Sequence, residues 1–433
     1  MTNHRDAVLA AFVAAATLPG VVSGADTPLV IAGARVVTVS GAVLDNASIV
    51  IQNGKITSVG SGLTAPAGAR TIDGRGKTVY PGLFDGLTTL GLAEVTQGAA
   101  GTVDTSETGD VNPHARAWVA FHPDSELLPV ARAYGITTAL SAPGGGLISG
   151  QSAIIRTVGD TPSALTVKGP IAMHMRYPTG APVIDFSQGP PNQEPKTFEQ
   201  RVQDRKKNQE KDLLKLKGLL EEARAYGEGL LAGAGVKVDL PMEALALAAS
   251  GKIPVVMRAN AEADIKGAIK FASENKLKLI IAGAAEAWRC VEDLKKSDTA
   301  VLIGVDQVPS REGDPYDAAY ANAATLHQAG VRFAIVTDDA SNTRNLPFEA
   351  AMAHAYGLPR EAAIRAITLA PAEILGVGSS LGSIEVGKTA TLILTNGDIL
   401  DHRTNITNVI IDGRETSLDN KHQRLYDRYK ARP

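Results

Sequence analysis

At 433 residues, with 44% apolar and 21% charged side chains, the chain has the composition of an ordinary globular protein, which excludes a disordered or fibrous one. A formal net charge of −3 leaves no basic footprint for nucleic acid or an anionic membrane, so a small molecule or another protein is the expected partner. Cys290 is the only cysteine, which rules out a disulfide framework and a multi-cysteine metal site.

The chain opens with an apolar run from Ala7 to Leu18, a Pro19-Gly20 break and the small residues Ser23, Gly24 and Ala25. This outline predicts a signal peptide over residues 1–25 and hence an exported, periplasmic or extracellular protein. The run is too short to span a bilayer and no later stretch reaches about 18 apolar residues, so no membrane span is expected. Residues 28–80 alternate apolar and polar side chains in short runs, with Asn53-Gly54 placed for a type I′ hairpin. The same alternation returns in TATLILTNGDIL and TNITNVIIDGRETS. The two ends are therefore expected to build one small composite β-sandwich domain, residues 26–80 plus 382–420.

Between the ends, eight apolar runs alternate with helical stretches: GLFDGLTTL, GITTALSA, PIAMHM, GVKVDL, IPVVMR, LKLIIAG, AVLIGV and FAIVT. Parallel strands need crossover helices and eight of them close well, so residues 81–381 predict a (β/α)8 TIM barrel and the whole chain an α/β fold. Thr197 to Gly227 reads as a long charged helix with Leu213, Leu216, Leu220 and Ala223 on one side. Its mixed Lys and Glu argue for a helix lying on the barrel and against a nucleic-acid surface. Thr179 to Lys196, rich in Pro, Gly and Gln, reads as a loop.

VYPGLFDGLTTLGLAEV (residues 79–95), Thr337-Asp338 and the run Gly382 to Lys388 together resemble the amidohydrolase superfamily, closest to its imidazolonepropionase-like and related secreted branches. That family follows a Pro-Gly-hydrophobic-hydrophobic-Asp turn with a His-x-His pair. Here Pro81, Gly82 and Asp85 match, and the two histidine positions fall on Leu87 and Thr89. The resemblance implies a hydrolase acting on carbon-nitrogen bonds other than peptide bonds, with one or two divalent metals that acidify a water. Its further ligand positions fall on Arg258 and Asn260 at the end of strand five and on Gly283 at the end of strand six. Leu and Gly cannot ligate, and a guanidinium repels a cation and keeps its proton. Asp338 stands where the family keeps its catalytic aspartate; its other reading is a helix cap shared with Asp339.

Replacement ligands have few candidates. His122, Asp124 and Glu126 alternate in HPDSE, but Asp124 or Ser125 reads equally as the cap of the next helix. His174 ends the third run and reads either as a group pointing into the barrel mouth or as a core histidine. His114, His327 and His354 have no partner at ligand spacing, and Glu243 reads as the first-turn acid of its helix. Gln151 stands where a phosphate loop would need lysine, which removes that reading of Gly145 to Ser152.

The expected site is therefore Asp338 with Arg258, Asn260 and His174 as substrate-binding groups and no resident metal, one zinc ion being the alternative if the site is rebuilt. Three readings stay open: a hydrolase with a rebuilt site, a non-catalytic relative (a pseudoenzyme) associated with an active paralogue, and a small-molecule binder. A homo-oligomer, or a hetero-oligomer with that paralogue, is expected by family habit.

Overall fold

The computed structural model describes residues 27–96, 99–180, 197–233, 235–306 and 313–432. The signal-peptide reading and all of the predicted 179–196 loop after Gly180 lie outside them. Among the described residues no helix is long and apolar enough to cross a membrane.

The amino-terminal strands are β1 (Leu29–Val37), β2 (Val43–Gln52), β3 (Lys55–Gly60), β4 (Arg70–Asp73) and β5 (Thr78–Pro81). Asn53 and Gly54 both take positive φ, 49° and 74°, as a type I′ turn demands, and the turn joins β2 to β3 in antiparallel register. The central strands are β6 (Leu83–Thr88), β7 (Ile136–Ser141), β8 (Ile148–Gln151), β9 (Ala153–Arg156), β10 (Thr166–Lys168), β11 (Met173–Arg176), β12 (Val255–Ala259), β13 (Leu279–Gly283), β14 (Ala300–Ile303) and β15 (Phe333–Ile335). Last come β16 (Leu392–Thr395), β17 (Ile406–Ile411) and β18 (Arg414–Thr416).

Strands from both chain ends lie in one eight-stranded sheet, ordered β18-β17-β16-β5-β1-β2-β3, with β4 beside β1. The join is β16 against β5, antiparallel, with Ile393 opposite Tyr80. Alternating side chains such as Ile31, Ile49, Ile51, Val79, Leu392 and Ile410 gather into a separate apolar cluster.

The central strands fall into two ladders, β10-β9-β7-β6 and β15-β14-β13-β12-β11-β8, and a single closed ring is not seen among the described residues. Strands β11 to β15 run parallel. One core cluster draws Phe84, Leu140, Ile154, Val256, Ile280, Leu302 and Ala334 from seven of these strands. Fully burying each large aliphatic side chain among them is worth about 2 kcal/mol.

Seven of the eight predicted runs form strands. The run GVKVDL, residues 235–240, does not: its backbone stays irregular, and Val238 is 73% exposed. An isolated run needs a neighbouring strand edge to pair with; here Asp239 instead caps the helix Leu240–Ala249, its carboxylate accepting from Met242 N at 3.0 Å. The place between β7 and β11 is taken by the antiparallel ribbon β8–β9. Ser152 at its bend bonds to the segment before β11, accepting from Ile171 N at 2.9 Å and donating to Ala172 O at 3.0 Å.

The long helix runs Phe198–Leu231, beyond its predicted end at Gly227. Thr197 and Gln200 close a capping box at its start. One glycine in an exposed helix costs about 1 kcal/mol, too little to stop it. Leu216, Leu220 and Ala223 form its buried side.

Candidate functional site

Side chains two residues apart on a strand share a face. Val256 of β12 packs in the inner cluster, so Arg258 projects on the same side, one step nearer the carboxy-terminal end. Its guanidinium meets both carboxylate oxygens of Asp338: Nη2 donates to Oδ1 at 2.7 Å and Nη1 to Oδ2. Such a fork-to-carboxylate pair is short, charge-assisted and fixed in direction. The Asp338 hydrogen bonds hold the Arg258 pKa above its usual value against the opposing effect of burial.

Asp338 has φ +56°, a left-handed conformation that non-glycine residues adopt at a cost. Two partners hold it there: Arg258, and the carbonyl of Leu87 in β6, which accepts from Asp338 N at 2.9 Å. The cap reading of Asp338 is corrected by this geometry. The capping falls to Asp339, whose Oδ1 accepts from Asn342 N at 2.8 Å, because the Asp338 carboxylate is already committed to Arg258.

Beneath this pair lies Asp85, with no solvent exposure. Its Oδ1 accepts from Leu87 N and Thr337 N, each at 3.2 Å, and its Oδ2 from Thr337 Oγ1 at 2.5 Å. One carboxyl thus ties β6 to the segment leaving β15. Burial pushes its pKa up to about 7, against the three hydrogen bonds that favour the charged form.

Asn260, just past β12, is exposed, and its Oδ1 lies 2.3 Å from where a Cβ on Gly283 would stand. Gly283 itself has φ +88°. The amide side chain of Asn260 thus occupies the space a side chain at 283 would need.

His174 in β11 is buried, and its Nε2 has no hydrogen-bond partner. The structure places it inside the strands without the hydrogen bonds a core histidine normally makes. Burial, with the Arg258 charge adding to it, pushes its pKa down to about 3. A histidine that cannot take a proton when folded supplies stability above its unfolded pKa, near 6.5, that is lost as pH falls toward 3. His174→Gln should flatten this acid limb, which is worth on the order of 4 kcal/mol. Urea midpoints at pH 7.5 and 4.5 check it; an equal pH loss in variant and parent would refute the assignment.

Among the described residues none of the other candidates makes a hydrogen bond or ion pair with Arg258 or Asp338. His122 and Asp124 are exposed, Ser125 Oγ accepts from Leu127 N at 3.2 Å, and Glu126 pairs with Arg424 at 2.9 Å. Glu243 sits in the first turn of its helix, and Gln151 Nε2 donates to Pro113 O at 2.9 Å. Among the described residues no group of three or more His, Cys, Asp or Glu comes together as a metal site.

The fold that carries this pair is shared with known proteins. The amidohydrolase from Thermotoga maritima superposes with a TM-score of 0.77 at 25% identity, covering 90% of this chain and 99% of that one. The chain belongs to the amidohydrolase superfamily. The model of the amidohydrolase family matches residues 316–416 of this superfamily member. Amidohydrolase tasK of Hapsidospora irregularis is 25% identical over 389 residues, 84% of this chain but only 39% of that longer protein. The dihydroorotase of Trichlorobacter lovleyi shares 46% identity over 57 residues, 13% of either chain. The chain thus spans less than half the length of the curated relatives it matches.

Within this superfamily member, Asp338, Arg258 and the Asn260–Gly283 contact come together at one end of the parallel strands. The pairing of Arg258 with Asp338 is not readable from the sequence, since the two lie 80 residues apart. A signal was present all the same: an arginine at the end of an otherwise buried strand needs an acidic partner. Asp85 stands in the Pro81-Gly82 turn motif, and nothing in that motif announces its clamp on Thr337, 252 residues away.

Proposed function

We propose that this amidohydrolase-superfamily chain has given up metal-dependent hydrolysis of carbon-nitrogen bonds and acts without chemistry of its own, as an exported partner subunit. The observation that carries the reading is the Arg258–Asp338 pair: the carboxylate that would serve a metal is already neutralised, on both oxygens, by a cation built into the chain. A divalent metal does not fit these residues. Leu87 packs in the inner cluster, Gly283 has no side chain, and Asn260 fills the room beside it.

In this reading the two central ladders make one (β/α)8 barrel, residues 81–381, joined by the β8–β9 ribbon and by Asp85 bridging to Thr337. The inner cluster, fed by side chains from seven strands, supports that view. The sheet shared by the chain ends is then a second small domain, residues 26–80 plus 382–420, and residues 1–25 direct export. A second reading, recognition of a small anionic or amide-bearing molecule, is favoured by Arg258 and Asn260, whose side chains remain open to solvent at the mouth.

Elemental analysis after equilibration with excess zinc tests the proposal. We expect zinc far below one ion per chain and no chelator-sensitive hydrolysis of amide or lactam substrates. Stoichiometric zinc together with such hydrolysis would overturn it.

A further inference from the structure

A trough of about 700 Å³ opens at the amino-terminal ends of β11 to β15, the end of the parallel strands away from Arg258 and Asp338. Its floor is apolar: Ile171, Ile280 and Leu375 are 4–5% exposed, with Ile253 and Ile269 beside them. Its rim is cationic, formed by the exposed Lys168, Lys252 and Lys278 together with Arg332. Arg332 is spent on Asp298, the one acid lining the trough among the described residues, with Nε donating to Oδ1 at 3.0 Å and Nη2 to the carbonyl at 2.7 Å. Among the described residues no carboxylate pairs with any of the three lysines.

A chain of net charge −3 thus gathers three uncompensated ammonium groups around an apolar depression. Like charges repel, and holding them together over apolar surface is unfavourable unless an anion offsets them. The volume lies in the range of small-molecule sites, roughly 300–1,000 Å³. An aliphatic body lying on this floor would take its own methylene surface out of water, the floor side chains being almost wholly buried already. A lysine ammonium is a flexible point charge that suits a carboxylate without demanding a fixed fork geometry.

We propose that this trough binds a soluble amphipathic anion of the medium-chain carboxylate class, its chain on Ile171, Ile253 and Ile280 and its head group among Lys168, Lys252 and Lys278. The site is separate from the mouth, and its occupancy does not depend on whether the mouth is catalytic.

Calorimetric titration of the full chain with dodecanoate, below its micellar concentration, tests this. The expected result is saturable binding of one molecule per chain, weakened by about tenfold, or 1.4 kcal/mol, in Lys252→Glu/Lys278→Glu. Raising the salt should weaken it too, as for any exposed charge pair. Ser273→Trp, at the exposed edge of the trough, should block binding by bulk alone. All three lysines and Ser273 are exposed, so melting temperatures should stay unchanged. Dodecyltrimethylammonium should not compete. The proposal fails if dodecanoate does not bind, if it binds the charge-reversed variant equally well, or if the cationic detergent binds as tightly. Lysine-dependent flotation with phosphatidylglycerol vesicles would also overturn it, in favour of a membrane surface.

Discussion

Asp85→Ala should lower the unfolding free energy by about 3–5 kcal/mol at pH 5, among the largest losses available to a single polar substitution here. The carboxyl is wholly buried and engages three donors, Leu87 N, Thr337 N and Thr337 Oγ1. Each donor left without an acceptor in a dry interior costs about 1–3 kcal/mol. Asp85→Asn keeps an oxygen for both backbone groups and offers an amide to the threonine hydroxyl, so it should cost far less. The two substitutions also separate shape from charge. Because burial raises the Asp85 pKa from 3.8 to about 7, the folded state holds this proton more tightly than the unfolded chain does. Stability from Asp85 is therefore present below pH 4 and is lost as pH rises through 7, by on the order of 4 kcal/mol. Asp85→Asn should gain on the parent protein steadily between pH 5 and 8 in denaturant titrations. A difference that stays flat over that range would mean that the carboxyl is not held neutral by the fold. His174 slopes the other way, so each group is read only as variant minus parent.

The second large effect concerns the strand-six position. Gly283→His should destabilise the fold by about 2–5 kcal/mol, the sum of a left-handed backbone that costs a side chain about 1–2 kcal/mol and overpacking worth about 1–3 kcal/mol. The overpacking has a named partner, since the new Cβ would stand 2.3 Å from Asn260 Oδ1. Removing that oxygen with Asn260→Ala should return part of the loss, giving a coupling of about 1 kcal/mol or more in a double-mutant cycle. Strictly additive losses would show that Asn260 moves aside freely. The coupling bears on the proposed function: Asn260 and position 283 share one space, so placing histidine at 283 alone should not build a metal site. Arg258 would still hold both oxygens of Asp338.

Much of the architecture could be read from the residues, because it rests on local signals. The Asn53-Gly54 turn needs two left-handed residues and has them; seven apolar runs bounded by helices become strands; Thr197 with Gln200 marks where the long helix begins. Residues 235–240 misled for a related reason. Their alternation is as good as that of the true strands, but pairing requires a neighbour edge, and no periodicity reports whether one is available. The ribbon of β8 and β9 took the place instead, through contacts at Ser152 that no short window contains.

The sequence by itself determined the family pattern, the order of most strands and which residue types stand at the mouth, because each follows from spacing along one stretch of chain. What only the tertiary structure decided is who meets whom there. Arg258 closes on Asp338 across 80 residues, Asp85 reaches Thr337 across 252, and Asn260 takes the space left by Gly283 on the adjacent strand. The physical reason is that an ion pair and a steric exclusion depend on distances of a few ångströms, and those distances exist only once the strands lie side by side.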